Sequence, residues 1–399
     1  MEEYNQINIQ PLAASTKEKR YLFSCSGKYY EANRPLAELL QCLQQHDSEE
    51  EGISCYLRMT EKKYTHAQVA EAIEHYIRPM LHQEKEAGKR KTFLYERELF
   101  SAATIDRFSD AFSFLFRKRY MAGMMAITLL LDGYVMLTTD EMLKFNNQIN
   151  AYTVCGVLVF MLCSSLFHEI GHASACKYFG LRHGGVGFGL YLNFPVLYTD
   201  VTEVWKLRRG ERCVVNLAGV YFQCFFLLAL LLLFLLTRND MVRYLILSMN
   251  FGFLMTLNPF FKFDGYWLAS DLLGVPNLRK RSRKLVSYVW QRIRRKKPDR
   301  TPYLLQINKL EQICMLFYSV VVNFFMGYYF CYIIPRFLYG FALSFPDEVK
   351  QLILYLSNGM TPPFALLRNL AMQLIFLSLV GYMIVNLIRP LKKYVWRRK

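Results

Sequence analysis

The order of apolar and polar positions divides the chain in two. Up to about residue 118 the sequence is mixed and charged. Beyond it six long apolar runs recur, at Tyr120–Thr139, Tyr152–Phe179, Val214–Leu236, Tyr244–Phe261, Ile313–Ile334 and Leu370–Ile388. As a helix, each is about long enough to cross a hydrocarbon core of roughly 30 Å. The expected fold is mainly α, a polytopic membrane protein with about six transmembrane helices.

The first part has shorter periods. Residues 1 to about 18 are a polar leader with little pattern, and Tyr21–Asn33 then reads as two strands about a Ser-Gly-Lys turn. Asn33 caps a helix with Pro35 in its first turn and an apolar stripe at Leu36, Leu39, Leu40 and Leu43. The acidic link Asp47–Gly52 ends it, and Ile53–Met59 is expected as another strand. Thr65 and Gln68 form a capping box opening a helix with Val69, Ile73, Tyr76 and Ile77 on one face. These elements predict a small α+β, winged-helix-like domain over residues 1–90. A charged linker over 91–119 then leads to the transmembrane domain, 120–399, with its functional core at 150–275.

Composition sharpens this picture. The chain has 399 residues, is 53 % hydrophobic and 16 % aromatic, and carries a net charge of +17. Such a charge invites a nucleic-acid reading, but the basic residues bunch beside apolar runs, as in Arg117-Lys-Arg119, the stretch Arg279–Arg300 and the C-terminal Lys392–Lys399. That is the pattern of cytoplasmic membrane flanks, and neither helix of the first domain has a strongly basic face, so no nucleic-acid partner is expected. With six spans, the positive-inside rule places both termini in the cytoplasm. No apolar h-region follows Met1, so no cleaved signal peptide is visible. The ten cysteines contain no CxxC pair and read as reduced packing thiols.

The candidate chemistry lies in the second apolar run, in Ser165-Leu-Phe-His168-Glu169-Ile-Gly-His172. Two histidines four residues apart lie one turn above each other on a helix, the spacing at which they grip one Zn²⁺. Glu169 beside them is placed to take a proton from a metal-bound water, and ionisable groups at membrane depth mark function. A catalytic zinc keeps three protein ligands and one open position, so a third ligand must come from elsewhere. His183, Asp200, Glu203 and Asp271 compete for that role. Asp264 is preferred because Asn258-Pro259 breaks the fourth run just before it and lets the chain turn the carboxylate inward.

Gly184–Pro195 holds four glycines in its first six residues and then alternates, which suits a hairpin or re-entrant loop. Hydrolysis of a peptide bond requires an extended substrate, and an edge strand here, with Gly187, Tyr191 and Asn193, would hold one by main-chain pairing. Asp132, Asn323 and Asn386 are polar exceptions within the runs, expected to bond between helices or, for Asp132, to lie close to the outer surface.

HExxH in one span and Asn258-Pro259-(x)4-Asp264-Gly265 at the end of a later one resemble the site-2 protease family of intramembrane zinc metalloproteases. The resemblance covers about residues 150–275. It implies His168, His172 and Asp264 as zinc ligands, Glu169 as the base, and Asn258, with Pro259 beside it, as substrate-positioning. The phrases Phe194–Trp205 and Leu217-Ala-Gly219 are similar to the bacterial branch found beside peptide-maturation and peptide-export genes. Residues 18–82 resemble the peptide-recognition element of peptide-maturation enzymes, which implies capture of a leader peptide as an added strand. The implied protein is a zinc endopeptidase of the bacterial inner membrane, acting on a ribosomally made precursor or membrane-protein substrate and accompanied by peptide export proteins. The alternatives are a regulatory protease that releases a membrane-tethered signalling factor, and a maturation or export scaffold that does not cleave. A scaffold has no reason to keep Glu169.

Overall fold

The computed structural model describes residues 2–12, 19–61, 63–81, 93–139, 142, 151–191, 194–259, 262–294, 307–328, 331–332 and 334–396. After the short helix α1 (Glu2–Asn5), three strands form an antiparallel sheet in the order β1 (Asn8–Leu12), β2 (Arg20–Cys25), β3 (Lys28–Asn33). The β2–β3 turn is Ser26-Gly27 with φ of 49° and 75°, left-handed at both positions as a two-residue hairpin requires. Helices α2 (Arg34–Gln45), α3 (Glu49–Met59), α4 (His66–Ala72) and α5 (Arg78–Leu81) follow, the last two joined by a π turn at Ile73–Ile77. Phe23, Leu40, Leu43, Ile53, Ile73 and Ile77 make their shared core.

Asn33 Oδ1 accepts the Leu36 N–H at 3.1 Å, and the Thr65–Gln68 box closes in both directions. Two features depart from the expected winged-helix-like pattern. The polar leader supplies β1, and the strand expected at Ile53–Met59 is helix α3. Ser48 caps that helix, and Glu49, Glu50 and Glu51 form its first turn, where carboxylates complement the positive end of the helix dipole. The acidic link is thus a helix start.

Residues expected as a linker instead supply β4 (Phe93–Phe100) and α6 (Ala102–Phe112), followed by a 3₁₀ turn at Ser113–Phe116. Strand β4 pairs antiparallel with β5 (Val186–Tyr191), which pairs with β6 (Phe194–Thr199), giving a second sheet in the order β4-β5-β6. The charged centre Glu96-Arg97-Glu98 hides this strand from a hydropathy reading, because its partner β5 lies far along the chain.

The long helices are α7 (Lys118–Thr138), α8 (Ala151–Tyr178), α9 (Arg209–Thr237), α10 (Asp240–Thr256), α11 (Asp264–Leu273), α12 (Leu278–Ile293), α13 (Lys309–Tyr328), α14 (Ile334–Ser357) and α15 (Phe364–Trp396). Four helical segments among the described residues, Lys118–Thr138, Val154–Tyr178, Arg209–Thr237 and Phe364–Tyr382, are long and apolar enough to cross a membrane. Their outward surfaces are apolar: Leu137 and Leu236 are 87 % and 85 % exposed. Leucine exposed to that degree along several helices is the surface a bilayer covers, and marks a membrane protein.

These four fall in the first, second, third and sixth of the expected runs; among the described residues no such segment lies in the other two. Helix α10 has 17 residues, about 26 Å at 1.5 Å per residue, and stops before Asn258-Pro259. Within the run expected at Ile313–Ile334, α13 is described to Tyr328 and α14 from Ile334. Of the polar exceptions, Asp132 accepts a 2.9 Å hydrogen bond from Asn250 Nδ2 across α7 and α10, the expected helix–helix bond, whereas Asn323 bonds to the Ser319 carbonyl within its own helix.

Helices α8 and α9 cross closely enough that a Cβ on Gly171 would stand 2.6 Å from the Ala218 carbonyl oxygen. Aromatic rings from four segments, Phe112, Phe116, Phe167 and Phe222, pack edge-to-face and stacked beside this crossing. Helix α6 is tied to α8 by the Lys177–Asp106 ion pair at 2.7 Å.

Candidate metal centre

The break after α10 brings distant residues together. Tyr318 on α13 donates its hydroxyl to the Pro259 carbonyl at 3.0 Å, and α11 starts back at Asp264. The reversal is tight: a Cβ on Gly265 would lie 2.0 Å from the Leu257 carbonyl oxygen, so only glycine fits there. Asp264 in the first turn of α11 consequently faces the middle of α8. Its Oδ2 stands 2.9 Å from His168 Nε2 and 3.1 Å from His172 Nε2, and the two Nε2 atoms are 3.2 Å apart.

The other ring nitrogen of each histidine is engaged. His172 Nδ1 lies 2.8 Å from the Val215 carbonyl oxygen, to which it donates, leaving Nε2 with its lone pair toward the cluster. His168 Nδ1 lies 3.2 Å from Gln223 Oε1, whose amide Nε2 donates to Ser164 Oγ at 3.0 Å. Such outer hydrogen bonds fix tautomer and ring orientation in metal-binding histidines. The ring of His168 lies flat against α9, since a Cβ on Gly219 would come 2.3 Å from its Nε2 and Cε1.

These residues fit a zinc ion. Tetrahedral ligands with bonds of about 2.0–2.1 Å stand about 3.3 Å from one another. The three separations observed here are 2.9, 3.1 and 3.2 Å, so small outward shifts of the donors admit the ion. Glu169 is buried one position after the first histidine, and its backbone carbonyl accepts the Thr199 hydroxyl at 3.2 Å. That bond ties the end of β6 to the helix that carries the cluster.

The competing third ligands all have other partners. His183 contacts Ser109 Oγ at 3.0 Å and donates to the Gly184 carbonyl, while Asp200 accepts from the Thr202 N–H at 3.0 Å. Glu203 pairs with Lys206 at 3.0 Å, and Asp271 pairs with Arg212 at 2.6 Å.

The expected substrate residues are spread out. Asn258 and Pro259 lie at the break between α10 and α11, and Asn193 lies outside the described residues. Gly187 and Tyr191 sit on β5, which pairs with β4 on one side and β6 on the other. Their main chain is therefore committed, and the edge strand expected of this hairpin is β6; among the described residues β6 pairs on one side only. Gly187 has a structural task, since Tyr198 lies over it from β6 and a Cβ there would stand 2.5 Å from the ring. Sequence reasoning missed Val215, Gln223 and the residues near the start of α9. Their signal is a row of polar and small residues, Arg212, Asn216, Gly219 and Gln223, at i, i+4, i+7 and i+11 of an otherwise apolar helix.

Two imidazoles and one carboxylate, converging inside a helical membrane protein, bring three ligand atoms within 4.8 Å of one another, a group that could hold a metal ion. A protein of Bacillus subtilis (strain 168), "Putative peptide zinc metalloprotease protein YydH", is 27 % identical to this chain over 121 residues, which are 30 % of this chain and 48 % of that protein. The chain spans about half the length of this relative. No family model and no solved structure matches the chain.

Proposed function

We propose that the chain is an intramembrane zinc endopeptidase of the site-2 type that hydrolyses a peptide bond in a membrane-associated or ribosomally made precursor. One observation carries the reading: His168, His172 and Asp264, the last of them ninety-two positions after His172, point three ligand atoms at one point beside a buried glutamate. The YydH likeness and the HExxH and Asp264-Gly265 motifs support it. Zinc bound there supplies Lewis acidity, which makes water a competent nucleophile near neutral pH. Glu169 accepts the proton of the attacking water at its carboxylate and returns it to the leaving nitrogen. Val215 and Gln223 hold the imidazoles in register. The edge of β6 receives the substrate as an extended strand. Residues 1–90 form a peptide-recognition domain that holds the leader. The chain crosses the inner membrane of a bacterium several times with both termini in the cytoplasm, and hands its product to export proteins.

The test is metal content. Full-length protein purified without chelator is expected to carry about one zinc per chain. His168→Ala and Asp264→Ala should each retain under about a tenth of that, because two ligands hold the ion poorly. Wild-type protein that takes up no zinc from a buffered excess refutes the proposal.

A further inference from the structure

A second polar cluster lies two helical turns from Asp264, on the same face of α11. Asp271 is seven residues further on, a spacing that returns to within about 20° of the same direction. Its Oδ1 accepts from Arg212 Nε at 2.6 Å and its Oδ2 from Asn216 Nδ2 at 2.8 Å, so both carboxylate oxygens are held by α9. The neighbouring Arg209 donates to the Asp271 and Leu272 carbonyls at 3.0 and 2.6 Å, closing the C-terminal end of α11. The pair is shielded: Arg212 and Asp271 are 4 % and 7 % exposed, with Trp205 stacked on the guanidinium and Leu12 from the N-terminal sheet walling the same small cavity.

The α9 side of this cluster continues into the candidate metal centre. Arg212, Asn216, Gly219 and Gln223 form one stripe along α9. The first two grip Asp271, the third gives His168 its seat, and the fourth holds His168 Nδ1. The Val215 carbonyl, within the same turns, holds His172. One face of one helix is thus the common reference for all three candidate ligands. The two histidines are referenced directly, and Asp264 is referenced through the two turns of α11 that separate it from Asp271. The far end of α11, held on α9 through Asp271, thus sets the direction of its near end together with the Tyr318–Pro259 hydrogen bond before it.

We infer that Arg212, Asn216 and Asp271 are positioning residues that set the third metal ligand, Asp264, against the two histidines. The inference rests on the zinc reading above and adds residues that touch neither the ion nor the substrate. An ion pair this buried is costly to desolvate and is a weak source of stability against an apolar replacement. Its value here lies in direction: two hydrogen bonds to the carboxylate oxygens and two to carbonyls at the helix end fix α11 both along and around its axis.

The experiment measures the metal site itself. Full-length protein in detergent is loaded with Zn²⁺ and titrated with a chromophoric chelator, and Co²⁺-substituted protein is examined by visible absorption. Asp271→Asn is expected to lower zinc affinity by about 10- to 100-fold, the usual effect of removing an outer-shell partner, and to weaken the tetrahedral Co²⁺ bands as Asp264 leaves the ion. Asn216→Ala should act in the same direction more mildly. Because Asp271→Asn leaves a buried guanidinium without its counter-charge and risks unfolding, the double variant Arg212→Met/Asp271→Leu is the control. It should fold with a melting temperature near wild type, as apolar replacement of a buried pair allows, and still show weak zinc binding and an altered cobalt spectrum. Wild-type affinity and spectrum in the folded double variant would overturn the inference and reduce the cluster to packing. Failure of wild-type protein to bind either metal would instead count against the zinc reading, so the two failures are separable.

Discussion

Glu169→Gln is expected to slow hydrolysis of a cleavable precursor by about 10²- to 10⁴-fold while leaving bound zinc unchanged. The substitution keeps the side chain's shape and one of its oxygens but removes its ability to take a proton. Nothing in the proposed ligand set is touched, since the converging atoms belong to His168, His172 and Asp264. Glu169 is nevertheless buried on the same helical turn, where no bulk buffer can substitute for it. Cleavage assayed in proteoliposomes, with zinc counted in the same preparation, checks both halves. Normal cleavage by the zinc-loaded variant would mean that the chain acts through another base, and normal biological output with no cleavage in either protein would favour a scaffold.

Much of this site is legible from local sequence because its parts are local rules. The four-residue spacing of His168 and His172 works on any helix. Asn258-Pro259 ends α10 through missing N–H and steric conflict, whatever surrounds it. Asn33, Ser48 and Thr65 cap helices by side-chain bonds to the next turn, and only the second was misjudged, its three glutamates being taken for a link. What could not be read is pairing at a distance. Strand β4 has meaning only beside β5, and β1 only beside β2. Apolar length was visible too, but the break that ends α10 before Asn258-Pro259 is one that a hydropathy run passes over.

The α9 stripe is the intermediate case, present in the sequence and interpretable only with its neighbours, and Gly219 tests it most sharply. Gly219→Ala is expected to reduce zinc affinity by at least about 100-fold, more than loss of a single outer hydrogen bond commonly does. The added methyl would sit 2.3 Å from His168 Nε2 and Cε1, far inside van der Waals contact. The helices cannot part to make room, because Gly171 presses on the Ala218 carbonyl one residue away and Tyr221 donates to the Leu115 carbonyl at 3.0 Å. The imidazole must therefore swing off Gln223 and out of reach of Asp264, and the overpacked crossing should also lose about 1–3 kcal/mol of stability. Gly210→Ala supplies the contrast on the same helix. A Cβ there meets nothing within 4 Å, so alanine should leave zinc binding intact and be neutral or mildly stabilising, by up to about 1 kcal/mol, through lower chain entropy in the unfolded state. Equal zinc affinity in the two variants, by the same chelator competition, would mean that His168 does not rest on α9. The stripe would then lose its claim to organise the site.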